Sequence, residues 1–423
     1  MSVQRTDVCI VGGGPGGAFL GLLLARQGLE VVVLEKAAAY QREFRGETLS
    51  ASLVQCLEEA GVLPLLRKQY LEVHAAEVYD DGRRIFRMEY GTKISRYRFP
   101  IDLPQPIVLN AILQQASRYP GFEQRMGANV TELLEEAGEV RGVVYQQGGE
   151  RRELRASLVV GADGRFSLMR KLSGLEFEKR PMPRDFIWFK LPRPENWGPY
   201  IRLRLHRDRH LAILPTYPDL LRVGCNIPKG QFTAFRRQGL DQFKQAVNAL
   251  EPGFAGLLDE HLQSWGDTSF LEIFTTRMPR WSRDGLVLIG DAAHTMTPLL
   301  GQGVGLAVLD AVTLAPVIGQ HLHEHPGKLI PRNALLGFEA ERREHTKFVL
   351  NLQESQERLL AMKSAAGVLL RDVVLRLITV APWHKARHKR LVFFNLPETL
   401  LPPPAVEGRP SLSPPSTLAE AGA

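Results

Sequence analysis

The feature that most constrains this chain is a glycine-rich turn near its beginning. The apolar run Val8–Val11 leads directly into the turn Gly12–Gly17, and a stretch with helical spacing follows over Ala18–Gln27. A second apolar run, Val31–Leu34, ends at the acidic residue Glu35. Strand, glycine turn, helix, strand and acid in this order predict a βαβ unit that binds a dinucleotide.

The glycines of this turn have separate physical roles. Gly12 allows a tight turn, Gly14 lets the backbone approach a pyrophosphate, and Gly17 lets the helix pack closely on the strand. The first amides of the helix and its positive dipole end then favour the phosphates. The predicted cofactor contacts in this turn are Gly12, Gly14, Pro15 and Gly17. A glycine-rich turn in an unrelated α/β protein is the alternative explanation.

The acid at the end of the second strand narrows the choice of dinucleotide. Glu35 lies about 20 residues beyond Gly12, where a carboxylate can accept hydrogen bonds from both ribose hydroxyls. An acid at this point disfavours the 2′-phosphate of NADP, so the site is expected to prefer FAD or NAD. Lys36 follows directly and is included among the predicted cofactor contacts.

Two later segments repeat the pattern of a buried strand that delivers an acid. Leu158–Gly164 ends in an Asp-Gly pair, and Gly285–His294 contains a Gly-Asp pair. The second segment is followed by Pro298, by a Gly-Gln-Gly triplet at positions 301–303, and by a predicted helix from about Val304 to Ile318. With the first turn, these segments make three separated motifs in a defined order.

On these three motifs, the chain resembles the class A flavoprotein monooxygenases, the family of para-hydroxybenzoate hydroxylase. The resemblance covers roughly residues 5–320. It implies that the dinucleotide is FAD and that Asp291 binds the ribityl hydroxyls. It also implies that Asp163 holds a loop contacting both FAD and a passing nicotinamide cofactor. For both aspartates, turn capping is the alternative.

The resemblance implies further contacts to FAD, predicted at Arg45, Gln105, Gly290, Gly301, Gly303 and Val304. Arg45 would pair with the pyrophosphate or the adenosine part through its planar guanidinium, and a solvated surface arginine is the alternative. The family usually has an asparagine where this chain has Gly305. That difference removes an amide side chain but keeps the backbone amides at the helix N-terminus.

Two residues are candidates for a part in the reaction. Pro298, which lies beside the flavin in the family, would shape the pocket where oxygen is activated. His294 could transfer a proton, although a structural hydrogen-bonding histidine is the stronger interpretation. The sequence contains no Ser/His/Asp set and no metal-ligand cluster, and a flavin enzyme needs neither, because its cofactor carries the hard step. The expected cofactors are FAD and, as transient reductant, NADH or NADPH.

The middle of the chain has the alternation of an antiparallel sheet. Residues 200–206 alternate with period two, residues 210–216 do so less strictly, and residues 220–227 are mostly apolar. In the resembled family such a sheet covers the isoalloxazine and lines the substrate cavity. Candidates to face the substrate are Trp188, Tyr200, Arg202, Arg204, His210 and Tyr217. For any one of them a solvated sheet face is the alternative, because the register is unknown.

These elements predict an α/β fold in which a GR2-type, Rossmann-like FAD-binding domain is interleaved with an antiparallel β-sheet substrate domain and followed by a helical C-terminal cap. The FAD-binding domain would comprise residues 1–70, 101–180 and 277–330, and the substrate domain residues 71–100 and 181–276. Residues 331–396 would form the C-terminal helical region. Residues 397–423 are rich in proline and serine and are expected to be disordered.

The C-terminal region raises the question of a membrane. A strongly apolar helical stretch over residues 365–380 is followed by a basic cluster at residues 384–390. An amphipathic helix beside basic residues could contact an anionic membrane. From the sequence we favour a helical cap that packs on the FAD-binding domain and has a solvated basic face.

Composition limits the remaining possibilities. The 423 residues carry a formal net charge of +7, which favours anionic ligands but does not indicate nucleic acid. Three cysteines without CxxC spacing fit a reducing cytoplasm better than a disulfide framework or a zinc site. The beginning of the chain lacks a secretory pattern, and no 18 apolar residues follow one another, so no membrane-spanning helix is expected.

The implied activity is that of an oxidoreductase with a small organic substrate. NADH or NADPH would reduce FAD, dioxygen would form a flavin hydroperoxide, and one oxygen atom would hydroxylate or epoxidise an aromatic or polyunsaturated compound. A flavin-dependent halogenase is one alternative, although its WxWxIP stretch is not found. A reductase of isoprenoid chains is another. A non-catalytic flavin-binding protein is the third, favoured only by Gly305.

Overall fold

The computed structural model describes residues 4–40, 47–90 and 99–380, and for residues 378–380 it describes the backbone alone. Arg45, the basic cluster and the predicted tail therefore lie outside the described residues.

The described residues form a mixed α/β fold. The strands are β1 Gln4–Val11, β2 Val31–Glu35, β3 Thr48–Leu49, β4 Leu71–Glu72, β5 Ala75–Asp80, β6 Arg83–Glu89, β7 Ile101–Asp102, β8 Phe122–Met126, β9 Asn129–Glu136, β10 Glu139–Gln147, β11 Glu150–Gly161, β12 Glu178–Pro181, β13 Arg184–Pro192, β14 Tyr200–His206, β15 Arg209–Thr216, β16 Leu220–Pro228, β17 Thr268–Leu271, β18 Phe274–Arg277, β19 Ser282–Arg283 and β20 Leu286–Leu288. The helices are α1 Pro15–Arg26, α2 Ala51–Glu59, α3 Gln105–Ala116, α4 Leu168–Leu172, α5 Phe232–Gln238, α6 Leu240–Asn248, α7 Ala255–His261, α8 Asp291–His294, α9 Gly303–Glu324, α10 Arg332–Leu360 and α11 Ala365–Val380.

The larger sheet has eight strands, and its central strands are parallel. Its order is β19-β20-β11-β1-β2-β8, and β10 and β9 extend it beside β11. β1 pairs in parallel with β2 and with β11. The parallel pairing with β2 is possible because α1, which connects the two strands, carries the chain back along the sheet. β2 is buried along its whole length, as expected when both faces of a parallel strand are covered. The carboxyl ends of these strands therefore meet at one edge, where ligands of such sheets bind.

Helices α1, α3 and α9 pack beside the larger sheet, and α1 contacts both of the others. α9 is so apolar that, with the turn before it, the segment Leu299–Glu324 is long and hydrophobic enough to cross a membrane by composition. Of its most apolar window, 61% is buried inside the protein. It is the one described helix with this composition, and its burial is that of a core helix.

The second sheet has seven strands in the order β17-β13-β16-β15-β14-β5-β6. All of its pairs are antiparallel except β14 with β5, which are parallel. Residues 200–228, where the sequence predicted an antiparallel sheet, form the three consecutive strands β14, β15 and β16. One face of this sheet packs against α6 and α7 through apolar residues such as Ile213, Val223 and Phe243. We refer to it as the outer face, and to the opposite side as the inner face.

The C-terminal helices pack on different parts of the molecule. α10 contacts α9 and β19 beside the larger sheet, whereas α11 contacts β6 at the edge of the seven-stranded sheet. The expectation of a cap on the FAD-binding part therefore needs correction for α11, which packs beside the other sheet. The small sheet β3-β7-β4 is formed by short segments that alternate in the sequence with strands of the two larger sheets. Its side chains contact the inner face, as described below.

Candidate functional site

The glycine turn forms a close junction between β1, β11 and α1. Gly12 has a φ of +111°, and a Cβ atom there would clash with the backbone carbonyl of Ala162. Gly17 lies on the other side of the junction, where a Cβ atom would be 3.2 Å from the Ala162 side chain. Gly14 is the N-cap of α1. Because glycine has no side chain, the N-cap residue provides no side-chain hydrogen bond to the first amides of α1. Such a helix start attracts phosphate.

Glu35 is fixed beside this turn at the end of β2. It is buried, and its two carboxylate oxygens accept hydrogen bonds from the amides of Gly13 and Ala37, each at 2.9 Å. The sequence placed an acid here, and the structure shows how the backbone orients it.

A cavity of about 430 Å³ opens at the carboxyl ends of these strands. Its lining includes Gly12, Glu35, Lys36, Asn129, Asp163 and Arg165. Four of these six are predicted cofactor residues, and they come from segments more than 100 positions apart. The fold therefore brings the first turn and the Asp-Gly motif to one pocket.

Asp163 holds the loop that borders this cavity. Its carboxylate accepts hydrogen bonds from the amides of Leu168 at 2.7 Å and Met169 at 3.0 Å, and from the Ser167 hydroxyl. Turn capping is thus what the Asp163 side chain does in the described structure. Arg170, on the short helix α4 that follows this loop, donates to the backbone carbonyls of Asp291 and Ala292 and so ties the Asp-Gly motif to the Gly-Asp motif.

A buried carboxylate that was not predicted from the sequence binds the backbone of the Gly-Asp motif. Asp310 of α9 accepts hydrogen bonds from the amide of Gly290 at 2.8 Å, from His294 Nε2 at 2.6 Å and from Arg342 Nε at 2.8 Å. Burial acts to raise the pKa of Asp310, but the His294 and Arg342 partners hold it at about 2. The carboxylate is therefore ionised. The contact with Asp310 fits the structural, hydrogen-bonding histidine that the sequence favoured for His294.

Asp291 itself opens the short helix α8 and is half-buried. Within the described part of the chain, its carboxylate accepts no hydrogen bond, whereas its backbone carbonyl accepts from Arg170 and from the Thr295 hydroxyl. The side chain is therefore available to a ligand at the strand end, in contrast to Asp163.

The loop after Pro298 is rigidly supported from α10. The buried side chain of Gln353 donates to the backbone carbonyls of Thr297 at 3.1 Å and Leu299 at 2.6 Å. Leu300 and Gly301 follow with φ of +67° and +62°. Because Gln353 lies on a helix that the sequence analysis treated only as a cap, no local signal identified it as a residue that positions this loop.

α9 begins directly after this loop at Gly303. Its N-cap, Gln302, makes no capping hydrogen bond from its side chain to the helix. Apart from the chain neighbours and the helix backbone, no atom of the described residues lies within 4 Å of where a Cβ would be at Gly301 or Gly303. The start of α9 therefore offers amides beside open space. Val304 packs partly on the core, and Gly305 is buried within the first turn. Gln105, the remaining predicted flavin contact, is buried at the first position of α3.

Three predicted substrate residues lie on the outer face of the seven-stranded sheet. Arg202 and Arg204 pair in register with Ile213 and Leu211, which face α6 and α7. Arg204 Nε donates to a Glu251 oxygen at 2.6 Å, and Arg202 Nε donates to Glu77 at 3.3 Å.

Tyr200 shares the strand and face of Arg202, and the guanidinium of Arg87 lies 4.7 Å from its ring centroid. The register therefore turns Tyr200, Arg202 and Arg204 toward acidic and aromatic partners on the outer face, opposite to the predicted substrate residues of the inner face.

Trp188 and His210 lie on the inner face. A Cβ atom on Gly224 would be 2.7 Å from the Trp188 ring, so the indole lies across the neighbouring strand where only glycine leaves room. His210 is buried, and burial together with Arg184 lowers the pKa of His210 to about 3. A neutral histidine cannot hold a phenolate or carboxylate by charge. Tyr217 packs partly against the core of the larger sheet.

A buried ionic cluster on the inner face was not predicted. Arg222 donates to the Thr48 hydroxyl at 3.0 Å, and the Thr216 hydroxyl donates to Glu47 at 3.0 Å. Asp102 accepts from the Thr48 hydroxyl at 2.6 Å, and burial raises the pKa of Asp102 to about 6. A lone arginine within the apolar run of residues 220–227 was the one sequence signal for this cluster.

Comparison with known proteins decides the family. The family model described as an FAD binding domain matches residues 5–215 and 237–352, more than half of the chain. The 6-methylpretetramide 4-monooxygenase of Streptomyces rimosus is 32% identical over 391 residues, which is 92% of each chain. The chain belongs to the FAD-dependent monooxygenases of this family. This chain is also 27% identical over 382 residues to the kynurenine 3-monooxygenase of Salinispora arenicola. The match covers 83% of this chain and 79% of the relative.

Solved structures share the fold of this monooxygenase. The p-nitrophenol 4-monooxygenase PnpA of Pseudomonas putida superposes with a TM-score of 0.78 at 21% identity, covering 94% of this chain and 99% of that one. PqsL, described as a probable FAD-dependent monooxygenase of Pseudomonas aeruginosa, gives a TM-score of 0.74 at 24% identity, covering 88% and 99%. The predicted family, the FAD cofactor and the oxidoreductase activity are confirmed by these findings together with the family match.

Proposed function

We propose that this monooxygenase hydroxylates an aromatic compound held between the inner face of the seven-stranded sheet and the loop after Pro298. The observation that carries this proposal is the flat indole of Trp188 across Gly224, with Ala212 and Leu214 packed beside it. Leu299 of the loop packs in one cluster with Leu203 of the sheet, so the two walls meet. A planar apolar ring fits such a surface, because it can stack on or edge against the indole.

The polar end of the substrate would be bound by two donors on the same face. Trp188 Nε1 is buried and makes no hydrogen bond to any described residue. The guanidinium of Arg222 on the same face donates to the Thr48 hydroxyl, and its Nε lies 3.8 Å from a Glu47 oxygen. A buried N–H without a partner is costly, so a ligand oxygen that accepts from it gains affinity and orientation. We assign these two groups to a phenolic or carbonyl oxygen of the substrate.

FAD would lie along the carboxyl edge of the larger sheet. The fit is supported by the uncapped start of α1, the oriented carboxylate of Glu35, and the open space beside Gly301 and Gly303. Gly12, Gly14, Pro15 and Gly17 would border the pyrophosphate, Glu35 and Lys36 the adenosine ribose, and Asp291 the ribityl hydroxyls. When bound, FAD supplies electron transfer from NADH or NADPH and the activation of dioxygen.

The chain's own residues then orient the reactants and exclude water. Gln353 fixes the Pro298 loop, Asp163 fixes the loop beside the cavity, and the start of α9 offers backbone amides that stabilise negative charge. We further propose that the larger sheet with its helices is the FAD-binding domain and the seven-stranded sheet the substrate domain, with the boundaries given above. A cytoplasmic location is supported by three buried cysteines without disulfide partners.

The proposal is tested by product analysis under isotopically labelled dioxygen. A set of phenols with one to four fused rings is offered to the purified protein with FAD and NADH or NADPH. The expected result is a product that gains one labelled oxygen atom. A product that gains two hydrogen atoms and no oxygen would show a reductase instead, and a chlorinated product in the presence of chloride would show a halogenase.

A further inference from the structure

A second buried nitrogen atom without a partner lies on the inner face, close to Trp188. His210 is 1% exposed, and its Nε2 atom makes no hydrogen bond to any described residue. The ring of Phe186 contacts both side chains, with its centroid 5.1 Å from that of His210 and 5.8 Å from that of Trp188. Two unpartnered nitrogen atoms of the inner face therefore border one aromatic ring.

Arg184 determines which nitrogen of His210 carries the proton. Its Nη1 atom lies 3.4 Å from His210 Nδ1. A guanidinium only donates hydrogen bonds, so Nδ1 is the acceptor. Burial and the charge of Arg184 lower the pKa of His210 to about 3, so the imidazole is neutral and its single proton is on Nε2. The unpartnered atom is therefore an N–H donor.

Both the ring and the backbone of His210 are held in place. Arg184 is itself 5% exposed, and it donates to the Glu357 carboxylate and to the backbone carbonyl of Leu360, each at 3.0 Å. The side chain of Asn226 accepts a hydrogen bond from the amide of His210 at 2.6 Å. A donor fixed in this way loses little further freedom when a ligand binds, so it can select the position of an acceptor.

The charges around His210 favour a neutral acceptor. The two arginines whose charge reaches the ring, Arg184 and Arg371, are paired with the carboxylates of Glu357 and Asp80. A carboxylate of a ligand would therefore be buried beside cations that are already neutralised, and it would keep much of the cost of its desolvation. A carbonyl or hydroxyl oxygen avoids that cost and still accepts the hydrogen bond.

The two donors are separated along the sheet. Trp188 lies in one row with Gly224 and Ala212, whereas His210 lies two residues before Ala212 and therefore in the next row. Neighbouring rows on one face of a sheet are about 7 Å apart. Two oxygens carried by different rings of a fused system can therefore reach both donors, but a phenol with a single oxygen leaves one donor unpaired.

We propose that His210 selects the substrate, because its Nε2–H donates to a second, neutral oxygen of a fused-ring aromatic compound whose first oxygen is bound beside Trp188. Arg184 is the positioning residue that fixes this donor. The inference rests on the proposed function, which places the aromatic substrate on the inner face, and it adds the substrate class. An unpaired buried donor is costly, so an analogue without the second oxygen binds less well.

Ligand binding to the full-length, FAD-loaded protein tests this selection. The change in flavin absorbance during titration gives dissociation constants for a naphthol, for a dihydroxynaphthalene with one hydroxyl on each ring, and for the matching hydroxynaphthoic acid. We expect the dihydroxynaphthalene to bind about tenfold more tightly than either of the other two.

Matched variants separate the donor from the shape of the site. His210→Phe removes the N–H and should bring the affinities for the naphthol and the dihydroxynaphthalene within about twofold of each other. His210→Gln keeps an N–H near the position of Nε2 and should restore most of the preference. His206→Phe changes a histidine of the same sheet whose side chain is 52% exposed, and it should leave the preference unchanged.

The tautomer of His210 has a readout that does not depend on activity. In protein containing isotope-labelled histidine, the ring carbon shifts of His210 are assigned by comparison with His210→Gln. They should be those of the neutral Nε2–H tautomer and should not change between about pH 5 and 8.

The outcomes distinguish this inference from the proposed function. Equal affinity of the wild type for the naphthol and the dihydroxynaphthalene, with both bound and hydroxylated, would overturn the inference and leave the proposed function standing. A preference that persists in His210→Phe, or a proton on Nδ1 of His210, would do the same. If none of the three compounds changed the flavin spectrum or gained oxygen, the proposed function would be contradicted, and the inference with it.

Discussion

The two large sheets differ in how they present functional residues. In the eight-stranded sheet, Gly12, Glu35 and Asp163 follow the carboxyl ends of parallel strands and therefore meet at one edge. In the seven-stranded sheet, function depends on which side of the sheet a residue faces. Trp188 and Arg222 face inward, whereas Arg202 and Arg204 face α6 and α7. The point in the sequence where a strand ends predicts which residues lie at the edge of the sheet. The face on which a residue lies depends, in addition, on the register in which the strands pair.

The buried carboxylates of the two parts differ as well. Asp310, behind the Gly-Asp motif, has three close partners, and its pKa is held at about 2. Asp102, beside the inner face, has the Thr48 hydroxyl at 2.6 Å and a more distant Arg222 at 3.5 Å, and burial raises its pKa to about 6. Asp310 therefore keeps its charge until the pH falls to about 2, whereas Asp102 is ionised at neutral pH against the cost of its burial.

The largest expected effect is loss of flavin from the edge of the larger sheet. Gly14→Val places a branched side chain where the backbone must approach the pyrophosphate, so the flavin content should fall below about a tenth of the wild-type value. Absorbance of the purified protein measures this. The control is Gly337→Val on the exposed side of α10, where a Cβ atom meets nothing within 4 Å and flavin should be retained. Normal flavin content in a folded Gly14→Val protein would contradict the site.

The next effect concerns stability of the ionic network in the same part. Arg342→Met removes one partner of a buried carboxylate and should lower the free energy of unfolding by about 3–5 kcal/mol. Denaturant unfolding at neutral pH measures this. Asp310 contributes its stability above its unfolded pKa near 4, and the contribution is lost as the pH falls toward 2.

A neighbouring arginine provides the control. Arg343 is 45% exposed and 3.7 Å from Glu339, so Arg343→Met should change the stability by no more than about 0.5 kcal/mol. Equal losses for the two variants would mean that the buried network is not what stabilises this region.

A smaller effect separates the two faces of the seven-stranded sheet. Trp188→Ala should lower kcat/KM at least about tenfold, or about 1.4 kcal/mol, and should increase NAD(P)H oxidation that yields no hydroxylated product. Arg204→Ala, on the outer face, should stay within about twofold. Both are measured with an aromatic compound that the wild type oxygenates. Trp188→Phe keeps an aromatic ring but removes the Nε1 donor, so it should restore the melting temperature while NAD(P)H oxidation without product stays raised, which a purely structural role would not explain.

The last expected effect is a gain in stability, rather than a loss, at the inner face. The folded-state pKa of Asp102, about 6, lies above its unfolded value near 4, so its ionisation at pH 7 costs stability. Asp102→Asn should therefore raise the free energy of unfolding at pH 7 by about 1–3 kcal/mol. The advantage should shrink as the pH falls below 6 and vanish near 4. Asp219→Asn, at an exposed ion pair, should change little at any of these pH values.

Some of the site could be predicted because its signals are local. The turn Gly12–Gly17 and Glu35 belong to one short βαβ unit, and their spacing predicts which of them meet the ligand. Asp163 and Asp291 were identified in the same way. Their roles differ, because only the tertiary structure shows that the Asp163 carboxylate is used in capping while that of Asp291 is not.

The sequence by itself determined the dinucleotide-binding unit, the order of its three motifs and the antiparallel character of residues 200–228. Only the tertiary structure decided the partners over long separations, such as Arg204 with Glu251, Asp310 with Arg342, and Gln353 with the Pro298 loop. The physical reason is that the side chains of a strand alternate between the two faces of its sheet. This alternation is the same whichever face is turned toward the cofactor. The side that is buried toward FAD depends on pairing and packing between distant segments, which no local pattern specifies.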